Sequence, residues 1–321
     1  MGWSYAAGLN GRSGSDGRFE IRGRAEAERL RLTATRRGWF GAPVEFAPGA
    51  ADLVVPMEAG GGVAGSFVFE PGFPVDLVRP VLELPGRGLE PFRAKGPGAD
   101  GEFTWRDLPP GAATVAIHLR GEREPYLVVE DVAVAAGEQA LDPRLQGIDL
   151  RALIHVALDV TNEGGEFLHD ARVLVSRAGE AEPLDLPTWG QRLGLLSSRG
   201  PVDVDVLAPG HRLESARSVA GARRFRLRPG IPVRVAVPAT SVPDPGERVK
   251  VTLAPDELLH EELRGHLSTS AWTDSAGEVL VRLPEPGPWT VVLQHADGSS
   301  LGVHGPFQVE DAVDERLLQL P

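Results

Sequence analysis

The sequence predicts an all-β protein built from tandem β-sandwich modules. Glycine (39 residues) and proline (28 residues) are frequent, and 42% of the 321 residues are hydrophobic. This composition favours short strands that are joined by tight turns and pack around real cores. A turn-and-strand motif also recurs along the chain, and the length corresponds to two to four domains rather than one.

The repeated unit is an Asp-Gly turn followed by a strand of alternating apolar and polar residues. The intervals between the turn glycines of successive clear copies are 84 and 176 residues, the second of which is twice 88. Such a period is close to the size of a small sandwich domain. The copies lie at residues 16–21 (DGRFEI), 100–105 (DGEFTW) and 276–281 (AGEVLV), with a decayed copy expected at Trp189-Gly190.

The chemistry of this motif is that of a hairpin. Glycine adopts positive φ without steric cost, and an aspartate beside it can bond its own backbone. In the second copy Phe103 and Trp105 fall on one face of the strand, while the polar residues between them fall on the other. Residues 202–206 (VDVDV) and 232–237 (PVRVAV) alternate in the same way, which indicates further half-buried strands.

The spacing of the copies predicts four modules, the first of them partial. The first turn lies 16 residues from the start, so this module is expected to lack its opening strands. We therefore expect the chain to be a fragment of a longer repeat protein, or to have a misplaced start. The modules are predicted at residues 1–57, 58–147, 148–239 and 240–321, with opening strands at 62–69, 153–160 and 248–253 in the last three. A short helix is predicted at residues 255–264, with Asp256 as its cap.

Charge and composition exclude several classes of protein. A net charge of −12 argues against a nucleic-acid partner, because phosphates demand a positive surface. No stretch approaches about 18 apolar residues, so no membrane span is predicted. Cysteine is absent, which excludes disulfides, thiol catalysis and thiolate metal sites. The first residues lack the basic region and apolar run of a secretory signal.

Arginines are concentrated in two segments. Residues 1–40 hold eight arginines against four acids, and residues 223–228 read RRFRLR. One interpretation is an anion-binding patch. The alternation of the second segment favours the other interpretation, in which the arginines occupy outward positions of an amphipathic strand.

Two motifs formally match catalytic or cofactor sites. Residues 298–302 (GSSLG) match a nucleophile elbow with Ser300 as the nucleophile, and His295, Asp297 and His304 lie close by in the sequence. An elbow requires a strand, a strained turn and a helix, whereas strands are predicted on both sides here, so a serine hydrolase is disfavoured. Residues 60–65 (GGGVAG) match a dinucleotide fingerprint, but a strand follows them instead of a helix, which favours an inter-module linker.

Metal sites are also weakly indicated. His260 and His266 lie among glutamates, but residues six apart fall on different faces of a helix, so a solvated acidic segment is favoured over a metal site. His155 and His169 are single residues and are interpreted as structural. Acidic turns could bind calcium weakly, although turn chemistry alone explains them. These turns contain Asp16, Asp100, Asp274 and Asp297. No catalytic, cofactor-binding or metal-binding residue is therefore assigned.

Tryptophans are the remaining candidates for a binding surface. Trp105 and Trp289 follow the alternation of core positions and are expected to be buried. The others could stack on sugar rings if they stand exposed in a row. The five tryptophans considered are Trp39, Trp105, Trp189, Trp272 and Trp289.

Several of these motifs together resemble the carboxypeptidase regulatory-like domain, a prealbumin-like (transthyretin-like) sandwich. The resemblance is carried by residues 100–103 (DGEF), 108–111 (LPPG), 160–165 (VTNEGG) and 62–65 (GVAG). Ala113 departs from the pattern, since the family has an aromatic residue there, and the third module has lost the Asp-Gly turn. The resemblance implies Ig-like/prealbumin-like modules without catalytic residues, often arranged in tandem in bacterial envelope or secreted proteins.

Two functions are therefore expected from the sequence. The first is a non-catalytic structural, spacer or adhesive array within a larger bacterial envelope or secreted protein. The alternative is a binding module for a glycan or protein partner, using exposed aromatic rings or an open sheet edge.

Overall fold

A computed structural model describes the chain at residues 11–21, 29–32, 34–50, 52–85, 92–94, 97–177, 180, 182–238, 248–255, 267–311 and 315–320. The predicted all-β fold class is confirmed, because these residues form paired sheets. The helix predicted at residues 255–264 lies outside the described residues except for Pro255, which ends a strand.

The chain divides into two compact units. Unit 1 contains Met1–Phe69, Arg79–Ile117 and Leu127–Asp149. Unit 2 contains Glu70–Val78, His118–Tyr126 and Leu150–Pro321. Each unit has its own strands and core and is described separately.

Among the described residues that precede residue 60, unit 1 contains five short strands in two small antiparallel sheets. In the first sheet β1 pairs with β4, and in the second β3 lies between β2 and β5. The strands are β1 (Leu30–Leu32), β2 (Thr35–Arg36), β3 (Trp39–Gly41), β4 (Val44–Phe46) and β5 (Met57–Ala59).

The remainder of unit 1 is a two-sheet sandwich, here called sandwich I. Its strands are β6 (Gly61–Val68), β7 (Val78–Glu83), β8 (Phe92–Arg93), β9 (Glu102–Leu108), β10 (Gly111–Leu119), β11 (Leu127–Val134), β12 (Gln139–Ala140) and β13 (Ile148–Asp149). One sheet has β6 paired with β9 on one side and with β12 and β13 on the other, and the second has the order β11-β10-β7-β8. In its core the Phe103 ring packs against Phe67 with the two planes tilted by 32° and meets Trp105 in an edge contact at 81°.

Unit 2 contains two further sandwiches. Sandwich II is formed by β14 (Ile154–Asn162), β15 (Arg172–Ser176), β16 (Leu184–Pro187), β17 (Leu193–Ser197), β18 (Val202–Leu207), β19 (Glu214–Val219) and β20 (Gly221–Leu227). Sandwich III is formed by β21 (Ile231–Ala236), β22 (Lys250–Pro255), β23 (Thr269–Trp272), β24 (Glu278–Leu283), β25 (Gly287–Gln294), β26 (Ser300–Val309) and β27 (Arg316–Gln319). The sheets of sandwich II have the orders β17-β14-β20 and β16-β15-β18-β19, and those of sandwich III have the orders β24-β21-β27 and β23-β22-β25-β26. Two 3-10 turns also have defined bounds: Pro143–Leu145 lies in unit 1 and Val75–Leu77 in unit 2.

The three sandwiches share one strand order. In each, the first strand lies between an antiparallel fourth strand and a parallel last strand. The second, third, fifth and sixth strands form the facing sheet, with the second and fifth at its centre.

The strand at Ile231–Ala236 corrects one sequence-based expectation. It is the first strand of sandwich III, because it pairs with β24 and β27. The opening strand predicted at residues 248–253 is therefore the second strand, β22. The boundary expected between residues 239 and 240 separates β21 from both of its partners. An alternating pattern predicts a half-buried strand but carries no information about which sheet receives it.

The predicted hairpin turns share one hydrogen-bond pattern. The N–H of each turn glycine donates to the carbonyl of the residue three positions earlier. That earlier residue in turn donates its N–H to the carbonyl of the residue that follows the glycine. Positive φ is required at these positions, which favours glycine. The glycines and their φ angles are Gly17 (81°), Gly101 (82°), Gly277 (78°) and Gly298 (86°).

Candidate functional site

Ser300 does not lie on a nucleophile elbow. It is exposed and opens strand β26, where it pairs with Gln294 of the preceding strand. The nucleophile-elbow interpretation of residues 298–302 is therefore wrong, because an elbow needs a helix after the nucleophile and a strand follows Ser300. Asp297 instead binds Ser299, whose hydroxyl donates to it at 2.6 Å. That hydrogen bond is the main reason why the pKa of Asp297 lies below its ordinary value.

Residues 61–65 of the glycine-rich segment lie in a strand. Residues Gly61–Val68 form β6, and a Cβ atom built on Gly61 would lie 2.2 Å from the carbonyl oxygen of Ala135. A Cβ atom on Gly65 would lie 2.2 Å from Cζ of Phe103. Close packing thus explains these glycines, and both the dinucleotide fingerprint and the linker interpretation of residues 61–65 are wrong.

The acidic turns use their carboxylates locally. In each turn an aspartate Oδ1 accepts a hydrogen bond from the backbone N–H two residues later, at 2.8–3.1 Å. No group of three or more potential metal ligands occurs within the described residues. The aspartates are Asp16, Asp100, Asp274 and Asp297. Turn chemistry accounts for all four.

The histidine candidates are scattered. His260 and His266 lie outside the described residues. His155 is exposed on β14. His169 packs beneath Gly190, where an added Cβ atom would lie 2.3 Å from its Nδ1. The structure brings these residues to no common site among the residues that it describes.

The arginine-rich segment at residues 223–228 is an amphipathic strand, as the alternation predicted. Phe225 and Leu227 of β20 are buried, while the side chains of Arg223, Arg224 and Arg226 are exposed. One buried acid lies on the neighbouring strand of the same sheet, as the register partner of Arg224. Asp159 on β14 binds the Arg192 guanidinium through two hydrogen bonds of 2.7 and 2.8 Å, and Arg224 lies 3.7 Å from its carboxylate.

The Asp159–Arg192 pair predicts an acid-sensitive sandwich II. Hydrogen bonds from Arg192 lower the pKa of Asp159 against the opposing effect of burial. A depressed folded-state pKa stabilises the fold above the unfolded-state pKa of about 3.9, and this stabilisation is lost as the pH falls through the folded-state value. Arg192→Ala is therefore expected to move the midpoint of acid unfolding to higher pH, as followed by circular dichroism. Arg224→Ala is the control and should move it less, and equal shifts would contradict the assignment.

The tryptophans divide into buried and exposed groups. Trp105 and Trp289 are 3% and 0% exposed, which confirms that both are core residues. Trp39 and Trp272 are 39% and 41% exposed and lie in strands of units 1 and 2 respectively. Trp189 is 69% exposed and lies in a turn with a positive φ of 52°.

Sandwiches II and III share an apolar junction within unit 2. Leu174 of β15 and Leu207 of β18 belong to the same buried cluster as Ile231 and Trp289 of sandwich III. Val173 and Val175, which flank Leu174, belong instead to the core of sandwich II. Strand β15 is therefore buried on both faces, because its outer face is covered by the neighbouring sandwich.

Polar and backbone hydrogen bonds close the same junction. The Gly230 N–H donates to the Gly210 carbonyl at 2.8 Å, and the Leu213 N–H donates to the Pro284 carbonyl at 3.0 Å. The Arg212 guanidinium, which is 17% exposed, binds Asp311 at 2.6 Å. The loop between β18 and β19 is thus anchored to sandwich III through Gly210, Arg212 and Leu213.

A second set of contacts in unit 2 is made by the segments 70–78 and 118–126. The Leu196 N–H donates to the Arg120 carbonyl at 2.8 Å, and the Glu122 carboxylate accepts hydrogen bonds from the N–H and hydroxyl of Ser198. The buried Arg177 guanidinium donates to the Gly121 carbonyl. Charge-assisted bonds of this kind are among the stronger hydrogen bonds in proteins.

No protein-family model and no curated protein matches the chain. Solved structures with similarity include the Bacillus anthracis TIE protein, at 11% identity over 87% of this chain and 53% of that chain with a TM-score of 0.24. They also include BcpA, the major pilin subunit of Bacillus cereus, at 6% identity over 81% and 98% with a TM-score of 0.20. GBS52, the minor pilin of Streptococcus agalactiae, has 11% identity over 57% and 99% with a TM-score of 0.22.

The chain spans about half the length of the first of these structures. TM-scores at this level do not establish a shared fold, so the fold class rests on the strand pairing. The sandwich fold implied by the carboxypeptidase regulatory-like resemblance is present, whereas membership of that family stays a prediction. Within the part of the chain that the structure describes, no helix has the length and hydropathy of a membrane span.

Proposed function

We propose that the chain is a non-catalytic structural spacer made of tandem β-sandwich modules and that it resists tension along its length. We infer module boundaries near residues 57, 147 and 230, the last revised because β21 pairs within sandwich III. The resemblance noted in the sequence supports a place in a larger bacterial envelope or secreted protein. Fractionation of cells that express the native gene tests that location.

The pairing of first and last strands carries this proposal. In each sandwich the chain enters on a strand that lies beside, and runs parallel to, the strand on which it leaves. The longest of these ladders is that of β14 and β20 in sandwich II. The parallel registers run from Val156–Gly221 to Asn162–Leu227 in sandwich II and from Val233–Arg316 to Ala236–Gln319 in sandwich III.

This geometry determines how an applied force acts on the fold. Pulling the entering end of one strand against the leaving end of a parallel neighbour slides the two strands along each other. All hydrogen bonds of the ladder then bear the force together, whereas pulling both strands from the same end opens the bonds one after another. Resistance to forced unfolding depends on the unfolding rate, which a ladder loaded in shear keeps low.

The absence of cysteine makes this property directly measurable. Cysteines introduced at exposed positions become unique handles for single-molecule force spectroscopy. The pair His155→Cys with Arg226→Cys holds opposite ends of the β14–β20 ladder and loads it in shear. The pair His155→Cys with Ala220→Cys holds the same end and is the matched control. We expect the shear pair to need a several-fold higher force to unfold sandwich II.

Equal forces for the two pairs would refute the tension-resisting role. Thermal unfolding of both variants without load must match that of the unmodified chain, which separates the direction of pulling from damage to the fold.

The alternative function, a binding module for a glycan or protein, is favoured by one feature of the structure, Trp189.

A further inference from the structure

Trp189 is the most exposed of the described tryptophans and has an unusual backbone. Its φ is 52° and that of Gly190 is 66°, and the Gln191 N–H donates to the Thr188 carbonyl at 3.1 Å. Positive φ at both central residues is the pattern of a turn that strongly prefers asparagine, aspartate or glycine. A tryptophan in the left-handed region is a steric outlier.

The fold does not depend on the indole ring. Thr188, which is 4% exposed, fixes the turn by donating its hydroxyl to the Leu168 carbonyl at 2.8 Å. Gly190 packs against the ring of His169. The Trp189 side chain is 69% exposed and belongs to neither buried cluster of unit 2. Backbone strain that brings no packing in return is characteristic of functional positions.

The residues beside Trp189 are suited to binding a polar ligand. The Thr188–Leu168 bond places residues 167–170 next to the turn, and Phe167 there is 43% exposed. The side chains of His169, Asp170 and Gln191 are also exposed and form no hydrogen bond with other described residues. The turn therefore presents an exposed indole ring beside side chains that form no hydrogen bond with other described residues.

We propose that Trp189 is the stacking platform of a carbohydrate-binding site, with Phe167, His169, Asp170 and Gln191 around it. A pyranose ring offers an apolar face that matches one indole ring and hydroxyl groups that need hydrogen-bond partners. A protein partner would require about 800 Å² of surface with an apolar centre, which two separate rings among polar side chains do not supply. This proposal is independent of the spacer function.

The test uses the full chain and four defined probes. These are the linear hexasaccharides of β-1,4-linked N-acetylglucosamine, β-1,4-linked glucose, α-1,4-linked glucose and β-1,4-linked mannose. Binding is measured by calorimetry and by the chemical shifts of the indole N–H groups. We expect at least one probe to bind and to move the Trp189 resonance. Trp189→Asn should weaken that binding by about tenfold or more and raise Tm by about 2–4 °C, because asparagine fits the turn.

Trp272→Asn is the matched control. Trp272 is 41% exposed but lies in strand β23 with ordinary backbone, so its replacement should leave binding unchanged and lower Tm slightly. Three results would overturn the proposal: no probe binds, binding persists in Trp189→Asn, or Trp189→Asn lowers Tm by several degrees. The last would show that the indole is a structural group. None of these results bears on the forces measured for the β14–β20 ladder.

Discussion

Replacing Gly61 with alanine is expected to destabilise sandwich I by about 3 kcal/mol, the upper part of the usual range for overpacked cores. The added methyl group would lie 2.2 Å from the Ala135 carbonyl oxygen and 2.8 Å from Cγ1 of Val134. The nearer atom belongs to the backbone, so no change of rotamer removes the clash. The backbone at Ala135 cannot easily move away, because two hydrogen bonds hold the chain that follows it. The Gly62 N–H donates to the Glu138 carbonyl, and the Gly137 N–H donates to the Gly60 carbonyl.

Urea unfolding monitored by circular dichroism measures this loss. Val68→Ala is the control on the same strand, since Val68 is 41% exposed and its truncation should change the free energy of unfolding by less than about 0.5 kcal/mol. A loss below about 1 kcal/mol for Gly61→Ala would mean that β6 and residues 134–138 are less closely packed than described.

Local patterns predicted the parts of this fold that depend on local chemistry. Turn glycines such as Gly101 were found from the Asp-Gly motif, because positive φ is a requirement of the residue itself. Alternation identified Trp105 and Trp289 as core residues, since the period of a strand decides which side chains share a face. The burial of Phe225 between exposed arginines follows for the same reason.

Long-range pairing could not be predicted in this way. The pattern of residues 232–237 is the same whether the strand closes sandwich II or opens sandwich III, and only pairing with β24 and β27 decides between them. The need for Gly61 likewise depends on Ala135, which is distant in the sequence. No local rule connects two such positions.

The candidate sites followed the same division. The repeat spacing predicted a turn at Trp189, but neither the exposure of its ring nor the neighbouring Phe167 could be inferred from spacing.

The junction between sandwiches II and III did leave a sequence signal that was not interpreted. Residues 173–175 (VLV) are consecutive apolar residues in a strand of an antiparallel sheet, and such a run indicates burial on both faces.

Leu174→Ala is the most direct test of that junction. Leu174 is 0% exposed and packs in the cluster of sandwich III, although its strand belongs to sandwich II. Truncation of a buried leucine costs about 2–5 kcal/mol, and here the loss should fall on sandwich III. Hydrogen exchange should therefore speed up in β21 and β25, and the Trp289 indole resonance should move. Val173→Ala, on the opposite face of the same strand, should loosen sandwich II and leave Trp289 unchanged. If both variants affect only sandwich II, the two sandwiches do not share a core, and a spacer made of them would bend at residues 228–230, between β20 and β21.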